Sequence, residues 1–226
     1  MRLTSSQSTL EPLLDFIPYA ALCIAAYLIG SIPTGAIVAR VYRNVDITRL
    51  GSQRTGAANT ARTLGPGAGA IVLIGDFAKG ALAVWLAKQT LGTPMALGLA
   101  GCFSVVGHIW SLFLLGRGGR GVVTGLAGLA VIAPGIFALS FACGCVVAVI
   151  SRYVSLGSIS GAAAAATIGI GAYALGYLPA ELLPYVIATP ALIIVAHADN
   201  IRRLRAGTER RWGQTEPPHH SRSEAT

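Results

Sequence analysis

The stretch GVVTGLAGLAVIAPGIFALSFACGCVVAVIS, residues 121–151, runs for 31 residues without a charged side chain. A helix that spans a bilayer needs about 20 apolar residues, so this stretch is too long for one ordinary span. Pro134 and Gly135 lie near its middle, where proline removes a helical hydrogen bond and glycine loosens the backbone. We therefore predict two helices here, at about Val122–Ala133 and Ile136–Ile150.

The composition of the whole chain agrees with a membrane setting. The 226 residues are 54% hydrophobic and only 12% charged, with a mean hydropathy of +0.65, whereas soluble chains are about 25% charged. These values exclude a cytosolic enzyme, a disordered tail protein and a disulfide-stapled secreted module. The cysteines all lie in apolar stretches, so we interpret them as small buried hydrophobes and expect neither a metal site nor a cofactor. They are Cys23, Cys102, Cys143 and Cys145.

Five further long apolar stretches bring the predicted number of spans to seven. They are Phe16–Ala39, Ala68–Ala87, Gln89–Gly116, Val154–Ala180 and Leu182–Ala198. An odd number of spans places fourteen of the seventeen Lys and Arg residues on one side, which the positive-inside rule makes cytoplasmic. Six spans would separate the basic loops. We predict an all-α polytopic integral membrane protein of about seven transmembrane helices, with its N-terminus outside and its C-terminus in the cytoplasm.

The chain divides by composition into three parts. Residues 1–15 form an N-terminal segment, residues 16–205 a transmembrane domain, and residues 206–226 a polar tail that we expect to be disordered. Inside the second apolar stretch, Asp76 and Lys79 lie one helical turn apart. Because a charge at depth needs a partner, we predict a structural ion pair. A proton relay is the alternative, but relays use several acidic or His residues.

The first basic loop reads DITRLGSQRTGAANTAR, residues 46–62. Glycine turns can direct backbone amides toward an anion, Ser52 and Asn59 offer neutral hydrogen bonds, and Arg54 and Arg62 offer charge. This composition predicts a phosphate site. The alternative is a simple turn that carries the arginines expected of any cytoplasmic loop.

The second basic loop reads GRGGRGVVTG, residues 116–125. It matches the string G-x-G-x-x-G, but an apolar helix precedes it instead of the strand of a dinucleotide fold. Consecutive glycines, flanking arginines and the start of a helix still favour an anion. The residues assigned to this anion site are Gly118, Gly119, Arg120 and Gly121. His108, shortly before the loop, either packs in the interior or supports the site, and we favour packing.

Two later segments bring polar residues to the same predicted face. In SRYVSLGSIS, residues 151–160, Ser155 and Ser158 either cap the following helix or bind a ligand. In HADNIRRLRAGTE, residues 197–209, His197 and Asn200 share one helical face. Polar residues at the end of a membrane helix are retained when they pair or act, so we predict a functional pair here.

Taken in order, these segments resemble a known family. The matching pieces are GSIPTG at 30–35, the first loop ending in Asn59 and Arg62, Asp76-x-x-Lys79-Gly80, Gly107-His108 with the glycine loop, RYVSLGS, and His197-x-x-Asn200. Together they resemble the bacterial membrane acyl-phosphate:glycerol-3-phosphate acyltransferase family, from about Tyr27 to Glu209. The resemblance implies a seven-helix enzyme that transfers a fatty acyl group from acyl-phosphate to the 1-hydroxyl of glycerol-3-phosphate. The products would be lysophosphatidic acid and phosphate.

The resemblance also implies a setting for the enzyme. It would be a multi-pass protein of the bacterial cytoplasmic membrane with its active site on the cytoplasmic face, and it would contribute to phospholipid biosynthesis. Its partners would be acyl-phosphate, glycerol-3-phosphate and the lipid bilayer, with no nucleic acid and no cofactor or metal. A monomer is expected.

Site residues follow by motif position. The catalytic residues implied are Ser52, Arg62, His197 and Asn200. The substrate-binding residues implied are Asn59, Gly118, Gly119, Arg120, Gly121, Ser155 and Ser158. The residues expected to give structural support are Glu209, Asp76 and Lys79. The chain departs from the family pattern with Gln53-Arg54 for Gly-Asn, Ala58 for Thr, and Arg117 and Arg120 for Lys, which leaves an altered substrate or activity open.

Two other classes of protein compete with the enzyme. An anion or organophosphate transporter would explain the broken helices and basic loops, but the outer loops carry few charges beyond Lys88 and Glu181. A membrane scaffold would explain the apolar spans, but it would give no function to the polar residues of the loops. We therefore expect an acyltransferase.

Overall fold

The computed structural model of the chain describes residues 7–213, with side chains from residue 15 onward, and this part is helical with short connections. The α-helices of this part are α1 (Gln7–Ser31), α2 (Thr34–Arg43), α3 (Ala57–Leu64), α4 (Pro66–Thr90), α5 (Pro94–Ile109), α6 (Val122–Ile132), α7 (Pro134–Ser151), α8 (Val154–Ala174), α9 (Leu183–Ala196) and α10 (Ala198–Arg205). Short 3-10 turns lie at Ile47–Arg49, Leu112–Leu114 and Ala180–Leu182.

Several helices are long and apolar enough to cross a membrane. Within the described residues there are five such segments: 15–43, which joins α1 and α2, and then α4, α5, α7 and α8. Helices α9 and α10, bent by 57° at His197, would be a sixth. Helix α6 has 11 residues and extends only about 16 Å, against a hydrocarbon core of about 30 Å. An all-helical membrane protein is thus confirmed, whereas the count of seven spans and the orientation of the termini are not.

The division of the long apolar stretch is confirmed. Helix α6 ends at Ile132 and α7 begins at Pro134, within two residues of the prediction. Proline is tolerated at the first position of a helix because the backbone N–H there has no partner within the helix. The stretch therefore folds as two helices with a break at Ala133 instead of one long span.

Small residues hold the helices close together. A Cβ on Gly30 of α1 would lie 2.0 Å from the carbonyl oxygen of Ser104 in α5, and one on Gly157 of α8 would lie 2.5 Å from that of Gly144 in α7. No side chain fits at either position. In lipid, helices associate through such close packing, so these glycines let α1 lie against α5 and α8 against α7.

The buried charges of Asp76 and Lys79 form the predicted ion pair, and they also contact neighbouring helices. Lys79 Nζ lies 2.9 Å from a carboxylate oxygen of Asp76 and donates a 2.8 Å hydrogen bond to the carbonyl of Ile32, at the break between α1 and α2. Thr34 donates to the same carboxylate. His108 is buried, as packing predicts, and its Nδ1 lies 3.5 Å from Asp76. The network therefore ties α1, α2, α4 and α5 together.

The beginning of the polar tail, which we expect to be disordered, makes hydrogen bonds to the helices within residues 207–213. The backbone N–H of Trp212 donates a 2.7 Å hydrogen bond to the carbonyl of Arg152, and Arg211 Nε donates a 3.1 Å bond to the hydroxyl of Tyr153. The polar composition gave no sign of these two bonds, because their partners lie on the α7–α8 turn, far away in the chain. The rest of the predicted tail, 214–226, and the first six residues of the predicted N-terminal segment lie outside the described residues.

Candidate active site

One cavity of about 630 Å³ lies where four connections meet. These are the α2–α3 loop, the glycine loop before α6, the start of α8, and the segment from His197 to Gly213. The cavity brings together most of the residues predicted from the sequence. The predicted residues that line it are Ser52, Asn59, Arg62, Asp76, Arg120, Gly121, Ser155, Ser158, His197, Asn200 and Glu209. Gly118, Gly119 and Lys79 lie behind its wall and are not part of its lining.

Asn59 braces the first loop instead of facing a ligand. Its Oδ1 accepts a 2.8 Å hydrogen bond from the N–H of Ser52, and its Nδ2 donates to the carbonyls of Leu50 at 3.1 Å and Arg54 at 2.9 Å. The side chain is buried and its amide groups are engaged by the loop. This corrects the direct phosphate-binding role predicted for Asn59, because its amide nitrogen already donates its hydrogen bonds to two carbonyls of the loop.

The first loop keeps its turn despite its departure from the family pattern. Gln53 has φ +58°, a left-handed conformation that glycine adopts most easily, and it stands where the resembling family has Gly. Its neighbour Arg54 lines the cavity and lies 3.7 Å from the carboxylate of Asp199. Gln53 therefore adopts a left-handed conformation in this loop, and Arg54 adds a cation to the cavity wall.

The glycine loop uses its amides internally. The N–H of Gly118 donates a 3.1 Å bond to the carbonyl of Ile109, and that of Gly119 a 3.0 Å bond to the carbonyl of His108. A Cβ on Gly119 would lie 2.1 Å from Nε2 of His108. The prediction that these two amides point at an anion is therefore wrong. The glycines allow the loop to lie against α5, which sets the position of Arg120.

Arg120 is the strongest candidate for an anion partner. It is half-buried in the cavity wall, and its Nε has no hydrogen-bond partner among the residues that the structure describes. Burial, followed by the nearby charges of Arg54 and Arg203, lowers the pKa of Arg120 to about 10. The N-terminus of α6 follows directly after Gly121 and adds a favourable dipole. A bound anion would relieve this unbalanced charge.

Glu209 joins three polar side chains at one end of the cavity. Its Oε1 accepts hydrogen bonds of 2.7 Å from both Ser155 Oγ and Asn200 Nδ2, and its Oε2 accepts one of 2.7 Å from Arg203 Nε. Burial alone would raise the pKa of Glu209, but these three donors lower it below its ordinary value. The carboxylate therefore stays ionised, and its contacts agree with the supporting role predicted for it.

His197 has a fixed tautomer in its neutral form. The ring is buried, and Nδ1 lies 2.7 Å from the carbonyl oxygen of Ile193. Because a carbonyl only accepts, Nδ1 carries the proton and Nε2 is left as an acceptor. Ser158 donates a 3.0 Å hydrogen bond to the carbonyl of Val154 one turn earlier, a bond within α8 and not the helix cap of the alternative interpretation, and its oxygen can still accept a bond.

Sequence reasoning missed Arg203 and the residues that follow Glu209 in the strap of residues 209–213. Arg203 lies three residues after Asn200 and therefore on the same face of α10, a signal that could have linked it to the site. Arg211 and Trp212 line the cavity although they belong to a stretch whose composition resembles a disordered tail. No sequence signal marked them.

Comparison with known proteins agrees with this arrangement. The chain matches a family model described as glycerol-3-phosphate acyltransferase over residues 20–207. It is 46% identical over 191 residues to glycerol-3-phosphate acyltransferase 2 of Moorella thermoacetica, covering 84% of this chain and 96% of the relative. It is 40% identical over 191 residues to a glycerol-3-phosphate acyltransferase of Thermus thermophilus, covering 84% of this chain and 94% of the relative.

A solved structure shares the fold as well. The chain superposes with a TM-score of 0.80 and 36% identity on PlsY, an integral membrane glycerol 3-phosphate acyltransferase in its glycerol 3-phosphate form, covering 87% of this chain and 96% of that one. The lysophosphatidic acid form of PlsY superposes with a TM-score of 0.77. The protein is thus a multi-pass membrane acyltransferase. Specifically, the chain belongs to the glycerol-3-phosphate acyltransferase family, which favours the enzyme over a transporter or a scaffold.

Replacing Glu209 with Ala should destabilise the fold by about 2–3 kcal/mol, since it leaves three donors without an acceptor and each unsatisfied buried group is costly. The strap should loosen with it, so trypsin should cut after Arg210 and Arg211 faster than in the parent protein. Thermal unfolding and timed proteolysis in detergent measure both effects. Glu181→Ala is the matched control, because Glu181 is exposed and far from the cavity. Equal proteolysis of the Glu209 variant and the parent would contradict the bracing role.

Proposed function

We propose that the protein transfers a fatty acyl group from acyl-phosphate to the 1-hydroxyl of glycerol-3-phosphate, with lysophosphatidic acid and inorganic phosphate as products. Both substrates carry phosphate, and the cavity has the cations to receive it. Arg120 is the observation that carries the proposal, because it is a half-buried guanidinium at the start of a helix and its Nε has no hydrogen-bond partner in the part of the chain that the structure describes. Arg54 and Arg62 line the same cavity.

An apolar groove supports the fatty acyl part of the proposal. A second cavity of about 200 Å³ lies between α6, α7, α8 and α9 and is lined almost wholly by apolar groups. It shares Val122, Val154 and Ser158 with the polar cavity, so the two spaces are adjacent. A molecule with an anionic head and a long hydrocarbon tail fits this pair of spaces, and the family's lysophosphatidic acid structure agrees with such a ligand.

The chemistry needs positioning more than a protein nucleophile. The oxygen of the 1-hydroxyl attacks the acyl carbon, a new C–O ester bond forms, and the bond from that carbon to the phosphate oxygen breaks. The hydroxyl proton passes to the phosphate of a substrate, which is itself a base. Ser52, Arg62, His197 and Asn200 act by holding the phosphates and the glycerol, and Arg120 stabilises charge on the leaving phosphate.

His197 and Asn200 each present one polar atom for this task. Nε2 of His197 is an acceptor suited to a glycerol hydroxyl, and Oδ1 of Asn200 is buried without a hydrogen-bond partner among the described residues. Ser155 lies next to Asn200, because both donate to the same oxygen of Glu209, and Ser158 lines the same cavity. Asp76 lines the cavity as well and is paired there with Lys79.

A membrane topology accompanies this function. All four connections line one cavity, so an even number of passes separates each from the next, with α6 descending and α7 returning. We propose seven passes, with the N-terminus outside and the C-terminus and the active site at the cytoplasmic face of the bacterial cytoplasmic membrane. The basic residues of these connections favour that orientation. We further propose that the enzyme works as a monomer, with residues 16–205 as its transmembrane domain.

The test is a transfer assay on the purified protein in detergent. With acyl-phosphate and labelled glycerol-3-phosphate it should release lysophosphatidic acid and phosphate in equal amounts, and acyl-CoA in place of acyl-phosphate should give no product. A sample that elutes as a single folded species and yet forms no product from acyl-phosphate would overturn the proposal. Uptake of glycerol-3-phosphate into proteoliposomes without any transfer would favour the transporter instead.

A further inference from the structure

Small residues of α8 line one side of the apolar groove. Helix α8 presents Gly157, Gly161, Ala162 and Ala165 to it, residues with no side chain beyond Cβ. From Val154, which lines both the groove and the polar cavity, to Ala165 the helix advances about 16 Å. A hydrocarbon chain lying along this wall would pass the small residues one after another.

Firmly packed side chains line the groove next to Ala165. Leu129, Tyr185 and Val186 line it there and also belong to a buried apolar cluster, in which Tyr185 is 2% exposed. The hydroxyl of Tyr185 donates a 2.9 Å hydrogen bond to the carbonyl of Gly125, which fixes the ring. The groove therefore has a definite depth.

We propose that Ala162 and Ala165 determine the length of the acyl chain that the enzyme accepts. This rests on the proposed function, since it takes the acyl chain of the donor as the occupant of the groove. Both alanines are buried, 8% and 7% exposed, on the wall of the groove. A larger side chain at either position occupies space that the end of a long chain would fill, while a shorter chain stops before it.

The two positions act at different depths. Ala162 lies three residues nearer the polar cavity than Ala165, or about 4.5 Å along the helix. That distance corresponds to about four methylene groups. A carbon–carbon bond is about 1.5 Å long, but in an extended zigzag chain each bond adds less than this to the length of the chain. Blocking Ala162 therefore excludes chains about four carbons shorter than those that blocking Ala165 excludes.

The experiment compares Ala165→Leu, Ala162→Leu and the parent enzyme across acyl-phosphates of increasing chain length. Each methylene kept out of the groove lowers binding about fourfold, so kcat/KM for the longest donors should fall by about tenfold or more in Ala165→Leu. The shortest donors should react as in the parent. In Ala162→Leu the same fall in kcat/KM should begin with donors whose acyl chains are about four carbons shorter. Ala163→Leu is the matched control, because Ala163 is exposed on the same helix and outside the groove lining.

The outcomes separate the possible failures. A length profile in both variants that matches Ala163→Leu overturns the inference while the proposed function stands. A parent enzyme inactive on every acyl-phosphate overturns the proposed function itself. Activity on the shortest donor proves each variant folded, and if Ala165→Leu lacks it, Ala165→Val supplies the comparison, with a smaller shift in the same direction expected and an unchanged profile counting against the inference.

Discussion

Replacing Arg120 with Gln should reduce acyl transfer by about 10²- to 10³-fold, the range seen when a single charge-stabilising donor is removed from an active site. Gln keeps much of the length of the side chain and loses its charge. The guanidinium is half-buried, next to Arg54 and Arg203, and its Nε has no protein partner among residues 15–213. A cation in that position contributes little to the resting fold, so its loss should appear in catalysis instead of stability.

The loss should divide between binding and rate. In the proposed transfer from acyl-phosphate, charge on the leaving phosphate grows as the bond to the acyl carbon breaks, so kcat should fall, and KM for the anionic substrates should rise as well. Glycerol-3-phosphate should raise the Tm of the parent protein, as any ligand of the native state does, and should raise that of Arg120→Gln less. Steady-state kinetics and thermal unfolding with and without substrate measure these effects.

Two companion variants make the result specific. Arg117→Gln removes a charge from the same loop, but Arg117 is exposed and does not line the cavity, so its activity should stay within about threefold of the parent because surface charges are well screened. Arg120→Lys restores the residue that the resembling family carries and should retain much of the activity. An Arg120→Gln enzyme as active as Arg117→Gln would contradict an anion-binding role for Arg120.

The sequence was informative wherever one physical rule dominates. Long uncharged stretches specify membrane helices, and Pro134 placed the break between α6 and α7 because proline cannot continue a helix. The Asp76–Lys79 pair followed from the expense of a lone charge at depth. Each of these features depends on neighbours in the chain, so local reasoning reached it.

The sequence was less informative wherever a residue's partner is distant. Asn59 and Arg120 look equally suited to bind phosphate, and only the folded loop shows that Asn59 is engaged by backbone groups while Arg120 is not. The amides of Gly118 and Gly119 turned out to bond the end of α5 for the same reason. The ordered strap around Glu209 depends on donors up to 54 residues away, which no composition window detects.

Replacing Asp76 with Asn should destabilise the protein by about 3–5 kcal/mol, because it leaves Lys79 as a buried charge without its counterion. Both side chains of the pair are almost completely buried, 6% exposed for Lys79 and 2% for Asp76. For a chain of this size such a loss corresponds to a fall in Tm of about 10 °C or more. Thermal unfolding in detergent measures it.

Asp199→Asn is the matched control, since Asp199 pairs with Arg202 at the surface, where the two side chains are 45% and 78% exposed. Exposed pairs contribute about 0–1 kcal/mol, so this variant should unfold close to the parent. A drop in Tm for Asp76→Asn no larger than that of the control would contradict the structural role of the buried pair.

The double variant Asp76→Asn with Lys79→Met separates the charge from the other contacts of the network. It removes both charges, so most of the lost stability should return, as it does when buried ion pairs are replaced together. Activity should recover less. Thr34 and His108 both contact Asp76, and the carbonyl of His108 holds Gly119, the residue next to Arg120. A stable but slow double variant would therefore mean that the buried carboxylate positions the glycine loop, whereas full recovery of both properties would limit its role to balancing Lys79.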